Sequence, residues 1–91
     1  MPLEVEVVSA DRRVWRGSAS AVLARTVDGD TGILAGHAPV LAVLAEGVLR
    51  ITPVTGDPVL ADLDGGFLSV DNDRVTVVAR RATVTSGTSA N

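Results

Sequence analysis

Apolar and polar residues alternate with a period of two at the start of this 91-residue chain. Leu3, Val5 and Val7 are separated by Glu4 and Glu6. This alternation predicts a half-buried strand, because successive side chains of a strand point to opposite faces. Further segments show the same alternation, or a short apolar run bounded by turn residues. They are 13–16, 19–26, 33–34, 40–44, 48–52, 59–63, 67–70 and 74–80.

Residues typical of turns separate these segments, and no long amphipathic helix pattern occurs between them. The run 40–44 has a helical alternative, because Pro39 could stand in a first helical turn and Gly47 just past a helix end. Five residues make a very short helix, so a strand is favoured. The pattern therefore predicts an all-β fold, an antiparallel β-sandwich or flattened barrel of about nine or ten strands.

Small polar residues dominate from Ala82 onwards. Such a composition buries too little apolar surface to offset the entropy of ordering. We therefore predict a folded domain over 1–81 and a flexible Ser/Thr/Gly tail over 82–91.

The composition gives one small domain with a core of small side chains. Apolar residues make up 46% of the chain, while Trp15 and Phe67 are the only aromatic residues. Valine, leucine, isoleucine and alanine must then supply the core, and valine suits a pleated strand. With no signal peptide and no stretch of about 20 apolar residues, we expect a soluble, intracellular domain.

Missing residue types exclude several kinds of chemistry. The chain has no cysteine, no lysine and no tyrosine, and His37 is its single histidine. Thiolate chemistry, a Schiff-base amine, a P-loop lysine and a multi-histidine metal site are therefore excluded. A net charge of -3 disfavours binding to nucleic acid.

Three pairs of aspartates suggest calcium loops only superficially. Eleven residues after Asp28, where an EF-hand requires a glutamate, the chain has Pro39. The pairs around Asp62 and Asp71 also lack the ligand pattern. All three pairs stand where turns are needed, and aspartate favours turns because its side chain bonds nearby backbone.

Other candidate motifs are also weak. His37 has no serine in a nucleophile-elbow sequence to activate. The glycines of 32–36 lack the lysine and the helix of a phosphate-binding loop. Arg12, Arg13 and Arg16 form a small basic cluster, interpreted as a solvated hairpin rim or as an anchor for an acidic partner. The segment 29–44 is the most distinctive, because it places acids, a histidine and a proline at strand ends, where a sandwich presents its loops.

Four segments carry a resemblance to a known family. They are Val7-Val8-Ser9-Ala10 with Val14-Trp15-Arg16-Gly17, then Gly29-Asp30-Thr31-Gly32-Ile33-Leu34-Ala35-Gly36-His37-Ala38-Pro39-Val40-Leu41, then Glu46-Gly47-Val48-Leu49-Arg50-Ile51, and Asp64-Gly65-Gly66-Phe67-Leu68-Ser69-Val70 with Val75-Thr76-Val77-Val78-Ala79. In order and spacing the chain resembles the N-terminal β-sandwich of the epsilon subunit of F-type ATP synthase, from Leu3 to about Arg81.

This resemblance implies a ten-stranded sandwich at the foot of the central stalk. It implies a non-catalytic rotor subunit that binds the gamma subunit and the c-ring, without cofactor or metal, on the cytoplasmic face of the bacterial plasma membrane. By position in the family, the c-ring-facing residues are Asp28, Gly29, Asp30, Thr31 and His37. The gamma-facing residues are Ser9, Val40 and Leu41.

Two features depart from the family pattern. Ala35 replaces the usual proline before Gly36-His37. The family's C-terminal helical hairpin has no counterpart in the 91 residues, so its inhibitory and ATP-sensing functions are not carried over. Two other hypotheses remain: a stand-alone β-sandwich binding or regulatory module, and an enzyme using His37 with Asp30. The enzyme is disfavoured because no third catalytic group converges on that pair.

Overall fold

The computed structural model describes residues 2–86, and these form nine strands and no helix. The predicted all-β fold is therefore confirmed, including a strand rather than a helix after Pro39. Nothing in the described part is a helix long and apolar enough to cross a membrane. The strands are β1 (Leu3–Val8), β2 (Arg13–Thr26), β3 (Gly29–Leu34), β4 (Val40–Leu44), β5 (Gly47–Pro53), β6 (Val59–Leu63), β7 (Gly66–Asp71), β8 (Arg74–Val78) and β9 (Ala82–Ser86).

The long strand β2 belongs to both layers of the sandwich. Its N-terminal half pairs with β1, which is followed across the first layer by β8, β7 and β4. Its C-terminal half pairs with β3 on one side and with β5 on the other, and β6 and β9 complete the second layer. At its end, Thr26 pairs with Leu44 of β4, so the two layers are joined along one strand.

The core lies between the layers and consists of inward-facing aliphatic residues. In β1 the alternation is fully realised, because Leu3, Val5 and Val7 are buried while Glu4 is exposed. The strands β6, β7 and β8 show the same two-residue period of burial. The small aliphatic core expected from the composition is therefore present.

Three details differ from the prediction. The described residues form nine strands, as the pattern allows but one fewer than the resemblance implies, and 13–16 and 19–26 form one strand. Gly17 does not close a strand, because it pairs with Val5 and lies against the ring of Trp15. The β1–β8 pair is parallel, whereas the other pairs among the described residues are antiparallel.

The predicted tail over 82–91 also needs correction. Ala82–Ser86 pairs with β6 as strand β9, so the ordered chain extends past Arg81. The physical reason is that Ala82 and Val84 pack against the core, beside Val14. The rest of the predicted tail, 87–91, lies outside the described residues.

Candidate functional site: a loop-lined cavity beside an apolar strand face

The turn between β2 and β3 is a tight hairpin held by one threonine. Thr26 Oγ1 donates to the carbonyl of Gly29 at 2.7 Å and accepts from the backbone N–H of Asp28 at 3.1 Å. Gly29 has φ 123°, a backbone conformation that glycine adopts without steric cost. The turn therefore presents Asp28 to solvent at its tip.

Asp30 is the second residue of β3 and pairs across the hairpin with Arg25. Its Oδ1 lies 3.5 Å from Arg25 Nε, and both side chains are more than half exposed. An exposed ion pair of this kind stabilises a fold by about 0–1 kcal/mol. Asp30 thus remains largely available to a partner.

The loop between β3 and β4 is tied to the opposite hairpin. The backbone N–H of Gly36 donates to Asp73 Oδ1 at 2.7 Å, and Asp73 belongs to the β7–β8 turn. Asn72 and Asp73 have φ values of 50° and 61°, which match the primed turns that close two-residue hairpins. The backbone carbonyl of Asp73 also accepts from Glu4 N–H at 2.8 Å. This turn therefore fixes the loop against the sheet.

His37 is positioned by its own loop. Its N–H donates to Leu34 O at 3.2 Å, and its ring Nδ1 lies 2.7 Å from the carbonyl of Ala38. A carbonyl can only accept, so Nδ1 is the donor in this contact. Among residues 2–86, the ring makes no hydrogen bond to a carboxylate. The geometry of an acid–base pair with Asp30 is therefore not formed.

One open cavity of about 470 Å³ gathers most of the predicted site. Its walls are the β2–β3 turn, the β3–β4 loop and the start of β4, and buried Leu68 lies behind it. The structure thus brings together residues assigned by family resemblance to two different partners. They are Asp28, Gly29, Asp30, Thr31, His37, Val40 and Leu41.

Ser9 lies elsewhere. It is 8% exposed and stands at the turn after β1, where its hydroxyl contacts Asp11 Oδ1 at 3.3 Å and Arg12 O at 3.2 Å. Neither Val40 nor Leu41 is near it in the strand register, because β8 and β7 separate β1 from β4. In this structure Ser9 holds a turn and is not part of the cavity.

An exposed apolar row on the first layer was missed by the sequence reasoning. The register places Val43 next to Phe67, Phe67 next to Val78, and Val78 next to Val8 across four strands. Val43, Phe67 and Val78 are 49%, 53% and 45% exposed. The sequence did contain a signal of this row, because Val78 and Val8 stand at outward positions of their strands, where the alternation predicts polar residues. Leu41, 73% exposed, borders this row.

The cavity and the apolar row beside it have the features of a surface that binds a partner. Within residues 2–86 no group of three or more histidines and carboxylates could hold a metal ion. Acids, a histidine and aliphatic side chains line the cavity, and the apolar row continues beside it. The fold and the site together define an all-β sandwich module with a loop-built recess next to an exposed apolar sheet face.

Comparison with known proteins identifies the family of this module. Residues 2–85 match the family described as ATP synthase, Delta/Epsilon chain, beta-sandwich domain. Because this match covers nearly the whole chain, the chain belongs to that family. The family expected from the sequence motifs is therefore confirmed.

Relatives and solved structures agree with this assignment. The ATP synthase epsilon chain of Micrococcus luteus is 52% identical over 80 residues, which cover 88% of each chain. That of Corynebacterium diphtheriae is 48% identical over 81 residues, covering 88% of this chain and 66% of the relative. The fold is similar, with a TM-score of 0.86 and 25% identity, to a chain in the cryo-EM structure of the Euglena gracilis mitochondrial ATP synthase with its c-ring. The match covers 91% of this chain and 53% of that one.

Proposed function

We propose that this chain is a non-catalytic subunit of the central stalk of an F-type ATP synthase, which links the gamma subunit to the c-ring. It would turn with the rotor and couple proton translocation to ATP synthesis. The observation that carries the proposal is the joint position of the acidic turn, His37 and Leu41 around one cavity in a member of this family. The chain would lie peripherally at the cytoplasmic face of the bacterial plasma membrane, held there by the complex.

The β2–β3 turn is the surface proposed to face the c-ring. Asp28 and Asp30 are exposed, and the hairpin holds them in place through Thr26. Carboxylates in this position would complement basic or amide side chains on a ring loop. Each exposed contact would contribute about 0.5–1 kcal/mol, so the turn would fix the register of the two partners more than it would supply affinity.

The apolar row on the first layer is the surface proposed to bind gamma. Val43, Phe67 and Val78 are about half exposed in adjoining strands. Fully burying a large apolar side chain contributes about 1.5–3 kcal/mol, and about half of that remains for side chains that are already half buried, which is still more than an exposed ion pair contributes. This face would therefore supply most of the affinity for gamma. Leu41 lies at the junction of the two proposed surfaces.

Transmission of rotation requires that the two surfaces do not move independently. The hydrogen bond from Gly36 to Asp73 joins the cavity loop to the β7–β8 hairpin, and β7 and β8 carry Phe67 and Val78. A displacement imposed at the ring-facing loop would reach the gamma-facing sheet through this connection. We therefore propose that the Gly36–Asp73 hydrogen bond helps to keep the two surfaces in a fixed relative position.

The proposal extends to regulation. We propose that residues 1–91 carry the rotor link without the family's helical-hairpin inhibition or ATP sensing. A synthase reconstituted with this chain would then hydrolyse ATP as fast as the same complex before its addition, while gaining proton pumping. A marked drop in ATP hydrolysis on addition of the chain would contradict this part.

Co-purification tests the assignment. A tagged chain expressed in its own host should recover the gamma subunit and the catalytic head. If it recovers neither, the rotor assignment is wrong and a stand-alone binding module becomes the better interpretation.

The ring-facing turn is tested by changing its charge. In the triple variant Asp28→Asn, Asp30→Asn and His37→Ala, retention on membranes containing the synthase should fall about tenfold, because three contacts are weakened together. Asp57→Asn is the matched control, since Asp57 is exposed in a different turn. Unchanged retention of the folded triple variant, checked by circular dichroism, would count against the ring assignment.

A further inference from the structure

Two strand edges border one groove at the other end of β2. Within residues 2–86, β9 pairs only with β6, and the part of β2 from Arg13 to Gly17 pairs only with β1. The groove has a volume of about 410 Å³. It is lined by Arg12, Arg13, Val14, Ala82, Thr83 and Val84.

The edge strand β9 has the features of an open edge. Folded proteins protect exposed edges with charges, prolines or bulges. The β9 sequence Ala-Thr-Val-Thr-Ser has no charge and no proline, and its register with β6 is regular over all five residues. Three of the five residues are β-branched and favour extended backbone. Its free backbone N–H and C=O groups could pair with an added strand.

The edge strand β3 makes a useful contrast. In the part of the chain that the structure describes, it also pairs with one strand alone, β2. Its sequence, however, contains Gly29, Asp30 and Gly32, and glycines and a charge weaken a strand as a pairing template. The β9 edge is therefore the more suitable of the two for strand addition.

The groove carries positive charge in an otherwise acidic protein. Arg13 Nε lies 2.6 Å from Glu6 Oε2, so its charge is partly compensated. Arg12 is exposed in the turn before β2, and no carboxylate of residues 2–86 forms an ion pair with it. The whole chain has a net charge of -3, which makes this local excess of arginine distinctive. An acidic segment would complement it.

We propose that this groove binds an extended, acidic segment of another protein, which adds to β9 as a further strand. Main-chain hydrogen bonds to the β9 edge would supply affinity, and Arg12 with Arg13 would select for acidic side chains, as in β-strand addition generally. The strand length of β9 sets the bound segment at about five residues. This inference does not depend on the placement of the chain in a rotor.

The probe is a capped hexapeptide of alternating glutamate and valine. Its control has lysine in place of each glutamate. Backbone amide resonances report on the groove residue by residue. Binding of the acidic peptide should shift the resonances of Ala82–Thr85 and Arg13–Gly17, which border the groove. The lysine peptide should bind at least about tenfold more weakly.

Two charge reversals separate the groove from general electrostatics. Arg12→Glu should weaken binding of the acidic peptide at least about tenfold. Arg16→Glu is the matched control, because Arg16 belongs to the same basic cluster in sequence but lines a different cavity with Glu4 and Glu6. The control should change affinity less than about twofold. Should Arg12→Glu not fold, the lysine peptide and the resonance shifts decide the question.

Several results would overturn the proposal. They are no binding of the acidic peptide up to about 1 mM, equal binding of the lysine peptide, or amide shifts confined to residues away from β9 and the start of β2. Sedimentation showing that two copies of the chain associate through β9 would also overturn it, because the groove would then accept a second copy.

Discussion

The two ends of strand β2 have opposite chemistry and opposite construction. At its C-terminal end the chain turns tightly at Asp28, and loops held by side-chain hydrogen bonds border an open cavity whose two carboxylates are Asp28 and Asp30. At its N-terminal end Arg12 and Arg13 border a groove between two strand edges. The first end presents side chains on fixed loops, whereas the second presents the backbone of strands.

This difference indicates two modes of recognition on one framework. Fixed loops suit a partner that must be held in one register, because their side chains define specific contacts. Open strand edges suit an extended segment, whose backbone supplies the hydrogen bonds. Because β2 runs through both layers, it connects both ends to the same core.

The largest expected effect breaks the framework shared by the two ends. Gly66 has φ 121°, and a Cβ at this position would collide with the backbone carbonyl of Val78. Gly66→Ala should therefore lower the free energy of unfolding by about 2–4 kcal/mol, a large part of the stability of a small domain. Chemical denaturation measures this.

The control for that prediction is Gly56→Ala. Gly56 also has a positive φ, 101°, but a Cβ there would meet no atom within 4 Å. Gly56→Ala should lower the free energy of unfolding by only about 1 kcal/mol, because backbone strain is its single cost. Equal losses for the two variants would show that the close approach at Val78 is unimportant.

A smaller effect should separate the two ends. Asp73→Gly removes the carboxylate that accepts from Gly36 N–H but preserves the freedom to adopt a positive φ. Asp73→Gly should lower the free energy of unfolding by about 1 kcal/mol. Hydrogen exchange should become faster at the Gly36 amide and stay unchanged at the amides of β9. Asn72→Gly serves as the control, because Asn72 lies in the same turn. Faster exchange in β9 would mean that the two ends are not independent.

The smallest expected effect concerns acid stability near the groove end. The backbone N–H of Arg81 donates to Asp64 Oδ1 at 3.0 Å, and this bond, aided by Arg80 and partly opposed by desolvation, lowers the pKa of Asp64 from 3.8. A carboxyl whose pKa is lower in the folded state stabilises the fold above its unfolded pKa, and this contribution disappears as the pH falls through the folded pKa.

The ordinary pKa of the Asp64 carboxyl, 3.8, applies to the unfolded chain. As the pH falls below about 4, the wild type should therefore lose slightly more stability than the Asp64→Asn variant, which has no carboxyl to protonate. Thermal unfolding at several pH values measures this slope. Asp62→Asn is the neighbouring control. A steeper loss in Asp64→Asn than in the wild type would show that the Arg81 contact has the opposite effect.

Much of the fold could be predicted from alternation alone. In β1 and β8 the two-residue period gave the strands and their buried faces, because one face of each strand packs on the core. Strand β9 could not be recognised, because its Thr-rich sequence resembles a tail, and its order depends on β6, a strand about 20 residues earlier in the chain. The parallel β1–β8 pair likewise depends on long-range packing.

The candidate site was predictable only in part. The tight turn at Asp28 and Gly29 could be inferred from local turn chemistry. Val40 and Leu41 share a cavity with those residues because Thr26 of β2 pairs with both Gly29 of β3 and Leu44 of β4. No local sequence pattern encodes this pairing. The inward position of Ser9 follows from its hydrogen bonds to the β1–β2 turn, a tertiary detail of the same kind.

Site-specific cross-linking tests the central claim, that the acidic turn faces the ring and the apolar sheet face meets gamma. The chain has no cysteine, so Asp30→Cys, Val78→Cys and the control Asp57→Cys each introduce one attachment point for a photoactivated cross-linker in the assembled synthase. We predict that Asp30→Cys links to the c-ring, that Val78→Cys links to gamma, and that Asp57→Cys links to neither. Linkage of Asp30→Cys to gamma alone, or equal linkage from all three positions, would contradict the account.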